Sequence, residues 1–475
     1  MMKHDILQRA GKLSALATML LLGGCMSFIP TYERPAAPVA PSYAPELTPA
    51  GSSAEQSAAA DIDWQRFFAD PRLKRLIELS LQNNRDLRVA ILNIEQARAA
   101  YQIKRADQLP TIGAGASATR QTGATRGLVN VYSVGLQVTS YELDFFGRVR
   151  SLSQQALAQY LATEEARKTT QISLIASVAT TYISLLSDDE LLRVTRDTLK
   201  TREDSSRLTR LRFDNGASSE VDLRQAEQLL ETAKATLAQT QRQRALDENA
   251  LSLLVGQPLP ADLPAPLPLA GQQAVADLPA GLPSDLLTRR PDVLSAEQQL
   301  LAANANIGAA RAAFFPRISL TASAGTASTE LSGLFKSGTW AVTGTASLVQ
   351  TIFDAGRNQA NLDVAKVSKE IAIAQYEKAI QSAFREVSDS LAGRATLGEQ
   401  LRAQAAVTNA AQVSYNLADL RYKNGVASYF DLLDAQRTLF TAQQATVQTQ
   451  ALQMQNLVTL YKVLGGGWTE PTKTN

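Results

Sequence analysis

Histidine and cysteine, the side chains that most often carry metals, nucleophiles or neutral-pH proton transfer, occur once each in this chain, as His4 and Cys25. Beyond them no zinc site, thiol nucleophile, disulfide or Ser-His-Asp triad can be assembled. The remaining candidates are carboxylates. Asp222 and Asp431 each stand three residues after a serine, Ser219 and Ser428, in the Ser-x-x-Asp pattern of a helix capping box, whose chemistry is hydrogen bonding to free amides at a helix start. Asp434 lies one turn beyond Asp431, and Arg437 three residues further, a spacing at which the two can pair along a helix. Asp188-Asp189-Glu190 reads as a solvated helical face, since no second cluster suggests a metal. No cofactor, metal site or catalytic residue follows from these types and spacings, and an enzyme has no constellation to support it.

Cys25 has a different chemistry available. Lys3, Arg9 and Lys12 precede the uncharged apolar run from Leu13 to Leu22, and Gly23-Gly24-Cys25 follows. A basic n-region, a short apolar h-region and small residues before a cleavage point describe an export signal over 1–24. The run is shorter than the ~20 residues of a membrane helix. Leu22-Gly23-Gly24-Cys25 resembles a bacterial lipobox, which makes Cys25 the lipidated first residue of the mature protein. Removing 1–24 takes three of 47 basic and one of 45 acidic side chains, leaving 44 of each. A neutral chain carries no basic field for nucleic acid and no polybasic patch for an anionic surface.

Proline marks the organisation. Of 18 prolines, six lie between Pro30 and Pro49 and seven between Pro258 and Pro283. The first group reads as an extended tether over 25–60. The second, 258–283, separates proline-poor halves at 61–257 and 284–464, with a tail at 465–475. The halves are repeats. Leu211 to Leu223 matches Leu420 to Leu432 at an offset of 209, as Gly147-Arg148 matches Gly356-Arg357; further upstream Asp86, Arg105 and Pro110 fall on Asp292, Arg311 and Pro316 at 206.

Each half changes period in the same order. Residues 61–109 and 284–312 are helical in pattern. Segments 111–122 with 129–144, and 317–328 with 340–351, alternate apolar and polar residues as strands of two hairpins do. After Gly147 and Gly356 a helix of about 65 residues, ~100 Å long, is expected before Asn215-Gly216 or Asn424-Gly425. Val178, Tyr182, Leu185, Leu192 and Leu199, and Val364, Val367, Ile371 and Ala374, have coiled-coil spacings. At Asn-Gly the chain turns into a return helix. Gly465-Gly466-Gly467 reads as a flexible exit from the last helix.

No mature segment is read as apolar enough for a membrane helix, whereas four strands of about 10–12 residues suit a membrane barrel. An open four-stranded sheet cannot sit in lipid, so strands from several chains would have to close one barrel. Periodicity alone leaves this reading level with a soluble coiled-coil lipoprotein whose hairpins pack on protein. Tyr132, Tyr141, Phe314, Phe315 and Trp340, near strand ends, fit either an interfacial girdle or ordinary packing.

Local sequences add a resemblance that covers nearly the whole chain. Tyr32-Glu33-Arg34-Pro35, Trp64-x-x-Phe67-Phe68-x-Asp70-Pro71, Asn84-Arg85-Asp86-Leu87, Tyr141 to Arg148, Gly281 to Asp292, Gly308 to Pro316 and Leu464 to Trp468 resemble the TolC superfamily of outer-membrane efflux channels, most closely its lipidated OprM-type branch. The resemblance implies a mainly α fold with a membrane β-barrel: a homotrimer whose twelve-stranded barrel, four strands per chain, continues into an α-helical barrel across the periplasm. It implies a passive exit duct, lipid-anchored in the outer membrane, docking through a periplasmic adaptor (membrane fusion protein) onto an inner-membrane pump of the proton-driven RND type. A type I protein-secretion duct of the same fold is the alternative, with the non-pore lipoprotein behind it. In the family the closed end is the periplasmic tip. Its pattern maps onto Phe430, Asp431 and Asp434 as the second-repeat constriction, with Tyr422 and Arg437 as latch residues and Asp222 as the first-repeat counterpart. Asp222 and Asp431 remain open between cap and pore residue.

Overall fold

The computed structural model describes residues 27–44, 62–122, 127–272 and 286–468. Cys25, the signal at 1–24, positions 45–60 of the tether, 273–283 of the linker and 469–475 of the tail lie outside these residues.

The first repeat contains α1 (Trp64–Phe67), α2 (Pro71–Asn83), α3 (Arg85–Ala106), β1 (Ile112–Thr122), β2 (Leu128–Glu142), α4 (Arg148–Asp214) and α5 (Glu220–Val255). The second contains α6 (Leu286–Arg289), α7 (Pro291–Ala312), β3 (Arg317–Ser328), β4 (Trp340–Val349), α8 (Arg357–Lys423) and α9 (Tyr429–Val463). The two long helices have 67 residues each. The contacts divide the chain into a sheet-bearing unit, with Asn93–Glu164 and Ser295–Lys378, and a helical unit, with Ala37–Leu92, Glu165–Leu294 and Ala379–Asn475.

In the sheet-bearing unit the strands form one antiparallel sheet in the order β1-β2-β3-β4. At 15 residues β2 exceeds the expected length and is bulged between Val138 and Tyr141. The stretch before Pro35 is more than a tether. Phe28 stacks on Phe315 at 4.6 Å, Asn304 of α7 donates to the Pro30 carbonyl at 2.8 Å, and Arg34 and Tyr32 both donate to Glu297 of α7. Phe315, though 40 % exposed, also stacks on Phe146 at 4.9 Å, and the Tyr141 hydroxyl donates to the Gln108 carbonyl, so both have partners within the unit; Trp340 is 68 % exposed.

In the helical unit Asp70 organises the start of α2. Its carboxylate caps Arg72 and Leu73 and accepts from the Tyr182 hydroxyl at 2.8 Å and Gln272 Nε2 at 2.6 Å. Five neutral donors, counting the Leu267 amide, satisfy a carboxylate that is 1 % exposed. Near the end of α9, Tyr461 stacks on Phe67 at 4.0 Å. The three glycines after α9 are buried, which corrects the reading of a flexible exit. A Cβ on Gly466 would stand 2.2 Å from the Tyr461 ring, so the run is a close-packed turn.

The two coiled-coil seams have different fates. Val178, Tyr182, Leu185 and Leu192 are buried, whereas Val364, Val367 and Ile371 of the sheet-bearing unit are more than half exposed. One expectation needs correction: α4 contains an 18-residue window of mean hydropathy 1.3, long and apolar enough for a membrane span. That window is 56 % buried in protein, as a core helix is.

Candidate functional site: two hairpin tips and an amphipathic sheet

Both long helices end in the same way because both carry Asn-Gly followed by Ser-x-x-Asp. Gly216 and Gly425 adopt φ of 70° and 72°, a conformation that a Cβ disfavours. The Ala217 amide bonds back to the Arg212 carbonyl and Gly216 to Phe213; Val426 and Gly425 repeat this with Arg421 and Tyr422. Complete capping boxes then start α5 and α9. Ser219 Oγ accepts from the Asp222 amide at 3.1 Å while Asp222 Oδ2 accepts from the Ser219 amide at 3.2 Å; for Ser428 and Asp431 the distances are 3.2 and 3.1 Å. Asp222 and Asp431 are therefore helix caps in this structure.

The flanking side chains differ. At the first tip Arg224 bridges Glu220 and Glu227, and Arg210 also binds Glu227. At the second, Tyr429 and Leu433 stand where the first repeat has Glu220 and Arg224, and with Tyr422, Leu432, Ala226 and Leu229 they form a buried cluster. Burial pushes the Tyr429 hydroxyl above its usual range. Tyr422, 8 % exposed, lies under the Arg212 guanidinium at 4.6 Å and beside the Tyr429 ring at 5.3 Å.

Phe430, by contrast, is 61 % exposed next to its buried neighbours. Asp434 and Arg437 are exposed too, and neither makes a hydrogen bond or ion pair among the described residues. The expected pairing of Asp434 with Arg437 along the helix does not form, and Tyr422 touches neither. The structure thus presents Phe430, Asp434 and Arg437 outward from one helix start, with Asp431 at its cap and Tyr422 folded inward.

Three contacts join the hairpins through residues the sequence reading did not single out. Arg202 Nη1 donates to the Leu229 carbonyl at 3.0 Å while its guanidinium lies 5.1 Å from the Phe440 ring. Ser205 Oγ meets the Tyr429 hydroxyl at 3.1 Å, and Arg212 covers Tyr422. Arginines at these α4 positions match the ordinary composition of a long helix, so no local pattern marks them. The signal available was divergence between repeats, with Tyr429 in place of Glu220.

Asp188 also departs from its reading as solvated. It is 7 % exposed, with Oδ2 buried and without a hydrogen-bond partner; burial, then the neighbouring Asp247 carboxylate of α5, push its carboxyl up to about 7. Its neighbour Asp189 is the exposed member and pairs with Arg244.

The sheet is two-faced. In register, Ala114, Leu136, Ala324 and Val342 share one face with Ile112, Val138, Ile318 and Leu348. The other carries Ser117 against Ser133 at 2.8 Å and Ser323 against Thr343 at 2.6 Å, with Gln137 beside them. β1 and β4 each leave one edge unpaired among the described residues. At the helix end of the sheet Glu142 is clasped by Arg148 at 2.6 Å and Arg317 at 2.7 Å.

The family model described as "Outer membrane efflux protein" matches residues 76–257 and 282–466. This chain belongs to that family. The antibiotic efflux pump outer membrane protein ArpC of Pseudomonas putida is 49 % identical over 472 residues, covering 97 % of this chain and 96 % of the relative. The toluene efflux pump outer membrane protein TtgC of P. putida has the same identity and coverage. The crystal structure of the open state of the Neisseria gonorrhoeae MtrE outer membrane channel, 43 % identical, superposes with a TM-score of 0.85 over 94 % of this chain and all of the other. As an outer membrane efflux protein the chain resides in the outer membrane with a periplasmic helical extension, and combines an α-helical barrel with a β-barrel to which it adds four strands. In such a barrel the apolar face meets lipid and the polar face lines the lumen.

Proposed function

We propose that three copies of this chain form the exit duct of a tripartite efflux system, closed at the hairpin tips and opened by docking of a periplasmic adaptor and an inner-membrane, proton-driven RND pump. The observation that carries the duct is the sheet: one face apolar, the other polar, both edges unpaired among the described residues. Backbone groups in lipid must be satisfied, so four strands require strands from other copies, and three copies supply twelve. The exposed seam of Val364, Val367 and Ile371 suits the same assembly.

The gate reading rests on Phe430, Asp434 and Arg437. Three copies of Asp434 around a narrow axis would concentrate negative charge, and three of Phe430 would exclude water. Arg437, without an ion pair among the described residues, is available to a carboxylate of a neighbouring copy. Asp222 and Asp431 act first as caps, and Tyr422 as the buried link between hairpins. Export of antibiotics and solvents by the relatives points to small lipophilic cargo, against the alternative of protein secretion. Lipidation of Cys25 would add a membrane anchor ahead of the Phe28–Arg34 strap.

The test is purified protein in a planar bilayer. Wild type should be a trimer of low conductance, and Asp434→Ala or Arg437→Ala should raise mean conductance about tenfold, the effect of ~1.4 kcal/mol on a closed–open equilibrium. A monomer in mild detergent whose variants stay silent would sink the duct. Drug sensitivity of a deletion strain without a secretion defect separates the two cargo readings, and an unmodified Cys25 in mass spectrometry removes the anchor.

A further inference from the structure

Arg202 is 4 % exposed, yet no carboxylate among the described residues pairs with it. A buried guanidinium ordinarily finds an acid, because removing its charge from water without a counter-charge is expensive. Here Nη1 has the Leu229 carbonyl, the ring of Phe440 lies under the planar group, and Nε has no hydrogen-bond partner. Burial, with Arg437 nearby, holds its charged form below the usual arginine range.

A second orphan lies close by. Gln436, 7 % exposed, leaves Oε1 without a partner. Arg202 and Gln436 both line a cavity of about 270 Å³ in the helical unit, together with Thr201, Tyr415, Phe440 and Asp197. The one acid among these walls, Asp197, is 70 % exposed and engaged by Arg193 at 3.0 Å. Repeat symmetry sharpens the point: the first-repeat counterpart of Gln436 is Glu227, so the position that could have supplied a carboxylate carries an amide.

We propose that this cavity is a binding site for a small aromatic carboxylate, its anion on Arg202 and its ring against Tyr415 and Phe440, and that occupancy clamps α4 to α9 and holds the two hairpins together. A carboxylate supplies the counter-charge that the Arg202 guanidinium lacks among the described residues, and a planar fork favours a two-oxygen partner. The volume lies just below the ~300–1,000 Å³ of drug-sized sites, which limits the guest to about one ring. A ligand that touches both helices binds the closed arrangement better and shifts the population toward it. The clamp, though not the binding, rests on the tip being the gate.

Benzoate titrated into the full-length protein in mild detergent, followed by calorimetry, tests the site. Saturable binding of one benzoate per chain is expected, with benzylamine not binding. Arg202→Met should weaken benzoate at least tenfold. Gln436→Glu should do the same with the arginine intact, since its carboxylate would occupy the guanidinium from within the chain. Absence of saturable binding, or both variants binding like wild type, overturns the site; a side chain from a neighbouring copy filling the cavity would produce the first of these results. In the bilayer, benzoate should lower wild-type conductance and leave Gln436→Glu unchanged. Benzoate that binds without lowering conductance, while Asp434→Ala still raises it, overturns the clamp and spares the gate. Asp434→Ala without effect, with binding intact, counts against the gate and spares the site.

Discussion

The two hairpin tips share a backbone and differ in what surrounds it. Asn-Gly turns with the same left-handed glycine and the same capping box begin α5 and α9. The first tip neutralises its charges within itself, through Arg224, Glu220, Glu227 and Arg210. The second replaces that network by a buried apolar cluster and leaves Phe430, Asp434 and Arg437 outward and unpaired. Duplication preserved the short-range chemistry that makes a turn. Divergence altered the positions that meet the rest of the molecule, so one hairpin is self-sufficient and the other is built to engage something else.

The largest break in this comparison should come from Tyr429→Ala. It removes a buried ring from the cluster and the hydroxyl that meets Ser205, and should destabilise the second hairpin by about 3–5 kcal/mol. Hydrogen exchange at the start of α9 should accelerate more than at the start of α5, which loses a packing neighbour of Ala226 and Leu229 but keeps its own cap and ion pairs. Equal acceleration at both would show that the tips are not independently held.

A pH-graded contrast comes next. Asp188 and Asp247 correspond by repeat to Leu397 and Asn456, so the acid pair is a first-repeat feature. Because the Asp188 carboxyl is raised in the folded protein, its contribution is fully present below the ordinary carboxylate range near pH 4 and is lost as pH rises to about 7. Asp247→Asn removes the neighbouring charge and should flatten that decline, leaving the variant more stable than wild type at pH 8 by on the order of 1–2 kcal/mol. Superimposable thermal-unfolding curves from pH 4 to 8 would refute the pairing.

Ser219→Ala and Ser428→Ala sharpen the shared part of the comparison. Each deletes one cap and should lose about 1 kcal/mol, by the same amount at both tips. A cap loss much larger at one tip in chemical unfolding would mean that the matching geometry hides different loads. Smallest of all is Arg224→Ala. Its ion pairs with Glu220 and Glu227 are solvent-exposed and screened, so the unfolding midpoint should not move measurably.

Much of this was legible in the sequence wherever the cause is local. The Asn-Gly turns, both capping boxes, two hairpins and two long helices all depend on residues a few positions apart. The burial of Asp188 is not legible there, because a helix pattern shows charge but not which neighbour covers it. The close packing of the glycines after α9 is hidden for a related reason: a glycine run suggests freedom, whereas the Tyr461 ring occupies the space. Arg202 carried no signal, since its burial depends on Leu229 and Phe440, which lie 27 and 238 positions away in the chain.

The sequence by itself determined the removal of cysteine and histidine chemistry beyond Cys25, the repeat, the alternation of strands and the turn geometry, because composition and short-range hydrogen bonding do not wait for tertiary contacts. Only the tertiary structure decided that Tyr422 turns inward while Phe430 turns out, and that Asp188 and Arg202 are buried. Those outcomes depend on which faces of 67-residue helices meet across long sequence separations, and the helical period leaves that choice to packing.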